Sequence, residues 1–183
     1  MKKIVLLALI IFAGAIYAQN QTAQQPAQQQ LRLGYVDSEV ILAQYPEAVK
    51  AKSDLDGMVA KWRKDIDSMA QDYQKSVADY QGKAQTLKKD ELDKLAKSIG
   101  EKEQKAQAYN QSKFSQPNGE YYQKQDQLMK PVKEKIFKAI DEVSKEENMQ
   151  FVFDKAGDVI LLKADPQYDI TYKVLDLLKR GKK

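Results

Sequence analysis

The sequence contains no cysteine and no histidine. Thiol nucleophiles, zinc sites built on Cys or His, and imidazole acid–base chemistry at neutral pH are thereby excluded. Carboxylates, hydroxyls, Lys, Arg and Tyr are what remains for chemistry. No P-loop, nucleophile elbow or metal-ligand cluster is spelled out by them, so the chain reads as a protein without catalysis, metal or cofactor. The missing cysteine also removes any lipoprotein attachment point. It is compatible with an oxidising compartment but does not identify one. Charge of one sign is scarce as well: the formal +4 falls to +2 once Lys2 and Lys3 are set aside. That surplus is too small to argue for nucleic acid. With 31% charged and 43% hydrophobic residues over 183 positions, the chain fits one soluble domain.

One long hydrophobic run is present, at the start. Met1-Lys2-Lys3 is a basic opening, Ile4 to Ala13 is apolar, and Ala15-Ile16-Tyr17-Ala18 precedes Gln19. This predicts a secretory signal peptide over 1–18, removed after Ala18, and an exported, soluble mature protein. The apolar run is short for a membrane span of about 20 residues. Residues 19–30 are Gln-rich, carry no apolar period and read as a flexible leader.

The longest signal is helical and occupies 46–148. Apolar residues fall at Leu55, Val59, Trp62, Ile66, Met69, Tyr73, Val77 and Tyr80, steps of three and four that define one helix face. The pattern returns at Leu92, Leu95, Ile99, Ala106 and Tyr109, and again at Leu128, Val132, Ile136, Ile140 and Val143. Pro46 suits a first helical turn. A turn is predicted near 82–90, where Gly82 loosens the helix, Thr86 offers a cap and Asp90-Glu91 suit a new first turn. Two such faces pack only if the chain doubles back, so the region is predicted to be an antiparallel helical hairpin. An outgoing leg of about 40 residues reaches roughly 60 Å. In the return leg, Pro117 and Asn118-Gly119 predict a kink or short break near 115–119, and Pro131 a further bend.

The ends of the chain carry β signal. Leu31, Leu33 and Tyr35 alternate with Arg32, Gly34 and Val36, a strand pattern, after which Asp37 or Ser38 caps a short helix to Ala43. Gln150 to Lys155 and Asp158 to Lys163 read as a β-hairpin about Ala156-Gly157. Asp169 or Thr171 then caps a last helix with Ile170, Val174, Leu175 and Leu178 on one face. The predicted fold is α+β: a long antiparallel coiled-coil arm inserted in a small β body made of 31–45 and 149–183. So small a body buries too little surface alone, and its open strand edges invite pairing between copies. Asp154, Asp158 and Asp165 lack the spacing of a Ca²⁺ loop and suit turns and caps.

Three stretches resemble the Skp/OmpH family of periplasmic chaperones. They are Gly34-Tyr35-Val36-Asp37 leading to Pro46; Leu128-Met129-Lys130-Pro131-Val132 with Lys135, Ile136 and Ala139-Ile140; and Phe151 through Asp165-Pro166 and Asp169-Ile170-Thr171 to Val174-Leu175. The resemblance implies a jellyfish-shaped homotrimer, a β-barrel body and three helical tentacles around a cavity that holds unfolded outer-membrane proteins. It implies no catalytic residue. The chain departs from that pattern around 113–120, where it carries extra residues.

As candidate client contacts the seam offers Met58, Trp62, Met69, Tyr73, Tyr80 and Tyr109, adaptable or amphipathic side chains suited to varied partners. The same residues also read as packing within the hairpin. Lys83, Lys88 and Lys89 at the turn either attract acidic segments and anionic lipid head groups or only solvate the tip. The functional expectation is an ATP-independent holdase in the periplasm, acting on unfolded outer-membrane β-barrel proteins before insertion. The alternative is a structural coiled-coil spacer or adaptor of the cell envelope.

Overall fold

The computed structural model describes residues 31–157 and 161–181. The predicted signal peptide and leader lie outside the described residues, as does the start of the predicted hairpin's second strand at Asp158.

Strand β1 (Leu33–Val36) opens the fold and is followed by the short helix α1 (Ser38–Gln44). The Asp37 side chain accepts a hydrogen bond from the Val40 backbone N–H at 3.0 Å, capping α1 as its position before Ser38 suggests. Tyr45 interrupts the helical run in an extended conformation, and Pro46 at the first turn opens α2 (Pro46–Lys83). At 38 residues α2 is about 57 Å long. The chain turns through 84–88 and returns as α3 (Lys89–Phe114) and α4 (Glu120–Glu146). Strand β2 (Phe151–Asp154), a single 3₁₀ turn at Pro166–Tyr168 and α5 (Thr171–Arg180) complete it.

Among the described residues the sheet has two strands, and they are parallel: Leu33 sits opposite Phe151, and Val36 opposite Asp154. Parallel neighbours need a crossover rather than a tight turn. Here the whole helical arm is that crossover, which is why one small sheet draws on both ends of the described chain. The predicted β-hairpin about Ala156-Gly157 runs into residues 158–160, outside the described residues; what is seen is β2 paired with β1. The Gln150 and Lys155 N–H groups donate to Arg32 and Val36 carbonyls at 3.0 and 2.7 Å, which pairs one edge of β2 with β1. Of the expected second strand, Leu161 to Lys163 are not extended into a ladder. The far edge of β1 is also occupied, because the Ile170 N–H donates to the Tyr35 carbonyl at 3.0 Å.

Body and arm base share one core. Val36, Ile41, Tyr45, Ala48 and Ala51 from the N-terminal side pack with Val132, Ile136, Ala139 and Val143 of α4 and with Ile170, Val174 and Leu175. Ile41 and Val174 are fully buried. Gly34 leaves room for Met149: a Cβ there would run into its thioether, which would have to move aside. Hydrogen bonds join the two chain ends as well. The Asp37 N–H donates to the Thr171 hydroxyl at 2.9 Å, and the Ser38 N–H to the Asp154 carboxylate at 3.1 Å. The latter satisfies a free N–H of the α1 first turn from another strand.

Two local expectations need correction. The last helix is capped formally by Ile170, while Asp169 accepts from the Thr171 N–H at 2.9 Å just inside it. Thr86 does not cap α3; its hydroxyl donates back to the Lys83 carbonyl at 3.2 Å, and the Glu91 carboxylate accepts from the Lys88 N–H at 3.2 Å instead. Pro131 lies inside α4, which continues on both sides of it. Both Pro131 and Gln127, the residue one turn back, are exposed, so the freed carbonyl faces water.

Candidate functional site

The arm is a two-layer strip, α2 on one side with α3 and then α4 against it. Its seam is where the sequence placed candidate contacts. Met58, Met69, Tyr73 and Tyr80 on α2 and Tyr109 on α3 are all half-buried. A ladder of amphipathic side chains therefore runs along the arm, each with part of its surface against the opposing leg and part open. Trp62 differs. It is only 6% exposed and meets the Phe114 ring edge-on, with centroids 5.9 Å apart at 79°. Trp62 belongs to the arm's interior.

Polar crossings interrupt the seam. The Tyr109 hydroxyl donates to the Asp65 carboxylate at 2.7 Å. That hydrogen bond, then burial and the Asp65 charge, push the phenol up to about 12. Further out, the Lys102 ammonium donates to the Ser76 hydroxyl at 2.7 Å and pairs with Asp72 at 2.8 Å. The hydrogen bond from Lys102 holds the Asp72 carboxyl below its usual range. Near the body, Lys135 donates to both Glu47 oxygens at 2.7 Å and depresses that carboxyl too.

The break in the return leg is a built structure. Phe114 ends α3 and Glu120 begins α4, with five residues looped between them. Gly119 is buried, and a Cβ on it would come within 2.7–2.8 Å of backbone atoms of Ser115 and Lys113, so only glycine fits. Lys113 from one side of the break is ion-paired with Glu120 from the other. The same ammonium lies 5.3 Å from the Trp62 ring centroid and 5.2 Å from that of Tyr109, a doubly cation–π arrangement. Tyr121 continues the ring cluster, 6.5 Å from Phe114 and 5.1 Å from Tyr122. Sequence reading had not singled out these residues as a cluster. The available signal was the aromatic Phe114 on one side of the Pro-Asn-Gly turn and Tyr121-Tyr122 on the other.

At the tip, Lys83, Lys88 and Lys89 are exposed. Lys83 is paired with Asp79 one turn back at 2.9 Å, so its charge is partly satisfied within the helix. The structure brings together no convergent set of catalytic groups at any of these places. Among the described residues, no three acidic side chains are placed to share a metal ion. No described helix is long and apolar enough to cross a membrane.

The body presents one further apolar surface. Leu33 and Phe151, direct partners in the sheet, are 43% and 55% exposed. The family model described as "Outer membrane protein (OmpH-like)" matches residues 32–178, nearly the whole described chain.

The chain belongs to the OmpH-like family.

The OmpH-like chain is also similar in fold to a crystal structure from Caulobacter crescentus CB15, described as a candidate outer membrane chaperone (OmpH-like). The TM-score is 0.70 at 15% identity, covering 82% of this chain and 85% of that one. Among curated proteins, none matches the chain. The OmpH-like arm here has a return leg in two pieces, α3 and α4, with the break at 115–119.

Proposed function

We propose that this OmpH-like protein is an ATP-independent holdase chaperone of the periplasm. It binds unfolded outer-membrane β-barrel proteins and keeps them from aggregating before insertion. The observation that carries the reading is the seam. Met58, Met69, Tyr73, Tyr80 and Tyr109 offer half-exposed apolar surface over many helical turns, with no single deep pocket among them. Spread, shallow contacts suit clients that share hydrophobicity rather than a sequence. Each contact breaks singly, so release needs no nucleotide. Trp62 supports the site from within rather than touching the client.

Assembly completes the proposal. The exposed Leu33–Phe151 pair forms an apolar surface on a body too small to stand comfortably alone. A homotrimer formed through this surface would gather three arms around a shared space. Lys88 and Lys89 at the exposed tips then suit brief contact with anionic lipid head groups.

The test is aggregation of a urea-denatured β-barrel protein on dilution, with and without the mature chain and without ATP. Suppression near stoichiometric trimer supports the holdase. No suppression, with the protein folded and assembled, leaves the spacer reading, which the burial of Trp62 favours. Sedimentation equilibrium checks assembly, and Phe151→Lys is expected to dissociate the oligomer while the arm stays helical.

A further inference from the structure

The outgoing leg α2 runs unbroken past the point where the return leg is interrupted. Cross-pairs allow the two legs to be measured against each other. Beyond the break Asp65 meets Tyr109 and Asp72 meets Lys102, one alignment, since both residues step by seven. At the body Glu47 meets Lys135. From Asp65 down to Glu47 the outgoing leg uses 18 residues, while from Tyr109 to Lys135 the return leg uses 26. Starting from the Trp62–Phe114 contact, the lengths are 15 and 21. The return leg thus carries six to eight residues more than its partner, a range centred on one heptad. The five looped residues at 115–119 hold most of that excess.

A heptad is a special amount of slack. Seven residues are close to two helical turns, so a leg displaced by that amount keeps its seam facing its partner. The outgoing leg repeats its polar partner at this interval, as Asp65, Asp72 and Asp79. Moved one heptad toward the tip, Tyr109 would leave Asp65 for Asp72, and Lys102 would leave Asp72 for Asp79. Apolar positions repeat with the same step: Trp62 and Met69 form one series, and Ile66, Tyr73 and Tyr80 another. Tyr109 and Lys102 therefore each meet a carboxylate again, and Phe114 exchanges Trp62 for Met69, while Lys102 gives up its second acceptor, Ser76, for Lys83.

We propose that the distal arm has two registers one heptad apart, and that residues 115–119 are the slack that lets the return leg move between them. The register observed is the resting one. It is held by the Lys113–Glu120 pair, the Trp62–Phe114 contact and the glycine-only seat of Gly119. In the advanced register the looped residues are drawn into line and α2 lengthens at the tip. The turn moves by half the displacement, so the arm gains about 5 Å of reach. A bound partner shifts the balance only if it contacts the longer arm better than the shorter one.

The natural absence of cysteine makes the test clean. Asp65→Cys with Tyr109→Cys reports the resting register, and Asp72→Cys with Tyr109→Cys the advanced one. One heptad is about 10.5 Å along the axis, and a disulfide needs Cα atoms within about 7 Å, so one register cannot close both pairs. Asp79→Cys with Tyr109→Cys, two heptads away, measures random encounter. Under mild oxidation of the full chain the resting pair is expected to close fastest, and the advanced pair at least tenfold faster than the random one. Deleting 114–120, seven residues, should leave the resting pair closing, which shows that the arm folds, and abolish closure of the advanced pair. Closure of the advanced pair at the random rate overturns the proposal. So does its undiminished closure in the deletion.

Discussion

Tyr109 donates its hydroxyl proton to Asp65 across the arm at 2.7 Å, although 44 residues separate them in the chain. The hydrogen bond ties the two legs at one height and makes the phenol hard to ionise. Tyr45, at the arm base, is likewise pushed up to about 12, there mainly by burial and then by its hydrogen bond with Glu47. An unfolded tyrosine ionises near 10. Between these values the folded chain keeps protons that the unfolded chain has lost, so stability is whole below pH 10 and falls as pH rises toward 12. Absorbance titration of the tyrosinates is expected to show a late-ionising class that shrinks in Tyr109→Phe. If the variant titrates like the wild type, the Asp65 contact is absent in solution.

Thr171 is buried at the junction of both chain ends, accepting from the Asp37 N–H and hydrogen-bonded to Asp169. Thr171→Val keeps its shape and removes both bonds, leaving a part-buried N–H without a partner. A loss of about 1–3 kcal/mol is expected in urea unfolding. A change under about 0.5 kcal/mol, the range of ordinary surface substitutions, would show that the junction is dispensable.

Acid is expected to weaken the body through Asp154. Burial opposes its charge, but hydrogen bonds from Ser38, with one from the Ala156 N–H, outweigh that and hold the carboxyl below its usual range. Its contribution is present above the unfolded pKa and is lost as pH falls through the depressed folded value. Asp154→Asn can still accept both N–H groups without titrating. Thermal melts between pH 5 and pH 2 should therefore show a shallower decline for the variant. Parallel curves would assign acid sensitivity to other carboxylates, such as Glu47.

The helical legs and the break were legible because periodicity and turn chemistry act locally. Steps of three and four set the seam, and Pro117 with Gly119 set its interruption. Strand pairing was not legible to the same degree. Which partner β2 takes depends on where the arm returns the chain, and only the folded arm places Gln150 beside Arg32. Trp62 shows the limit for sites. Its spacing matches that of Met69 and Tyr73, yet it is sealed because Phe114 and Lys113, at the end of α3, pack onto it. Periodicity gives the face of a residue, not what covers it.

The glycines separate by what surrounds them. Gly57 lies inside α2 with open space where a Cβ would go, whereas Gly119 has backbone atoms within 3 Å of that position. Gly57→Ala is expected to stabilise the arm by about 0.5–1 kcal/mol, through lower entropy of the unfolded chain. Gly119→Ala should destabilise it by about 1–3 kcal/mol, because backbone must shift to admit the methyl. Reversal of either sign in thermal melts would mean that the break is packed differently.

The distribution of client contact is the sharpest test of the proposed holdase. If holding is shared along the seam, Met69→Ala or Tyr73→Ala removes one shallow contact among many and should change client protection less than twofold. Trp62→Ala is a different experiment. It empties an interior site at a cost of about 3–5 kcal/mol, so any loss of protection there must be read beside helix content. The informative large change is a shortened arm. Replacing 67–107 by a tight turn leaves Asp65 and Tyr109 facing each other and keeps the body intact, so oligomerisation should survive. Protection of a β-barrel client should then fall by most of its value. If the shortened protein still protects, the body holds the client and the arms are spacers. If instead one seam substitution abolishes protection while circular dichroism is unchanged, holding rests on a discrete site rather than a distributed surface.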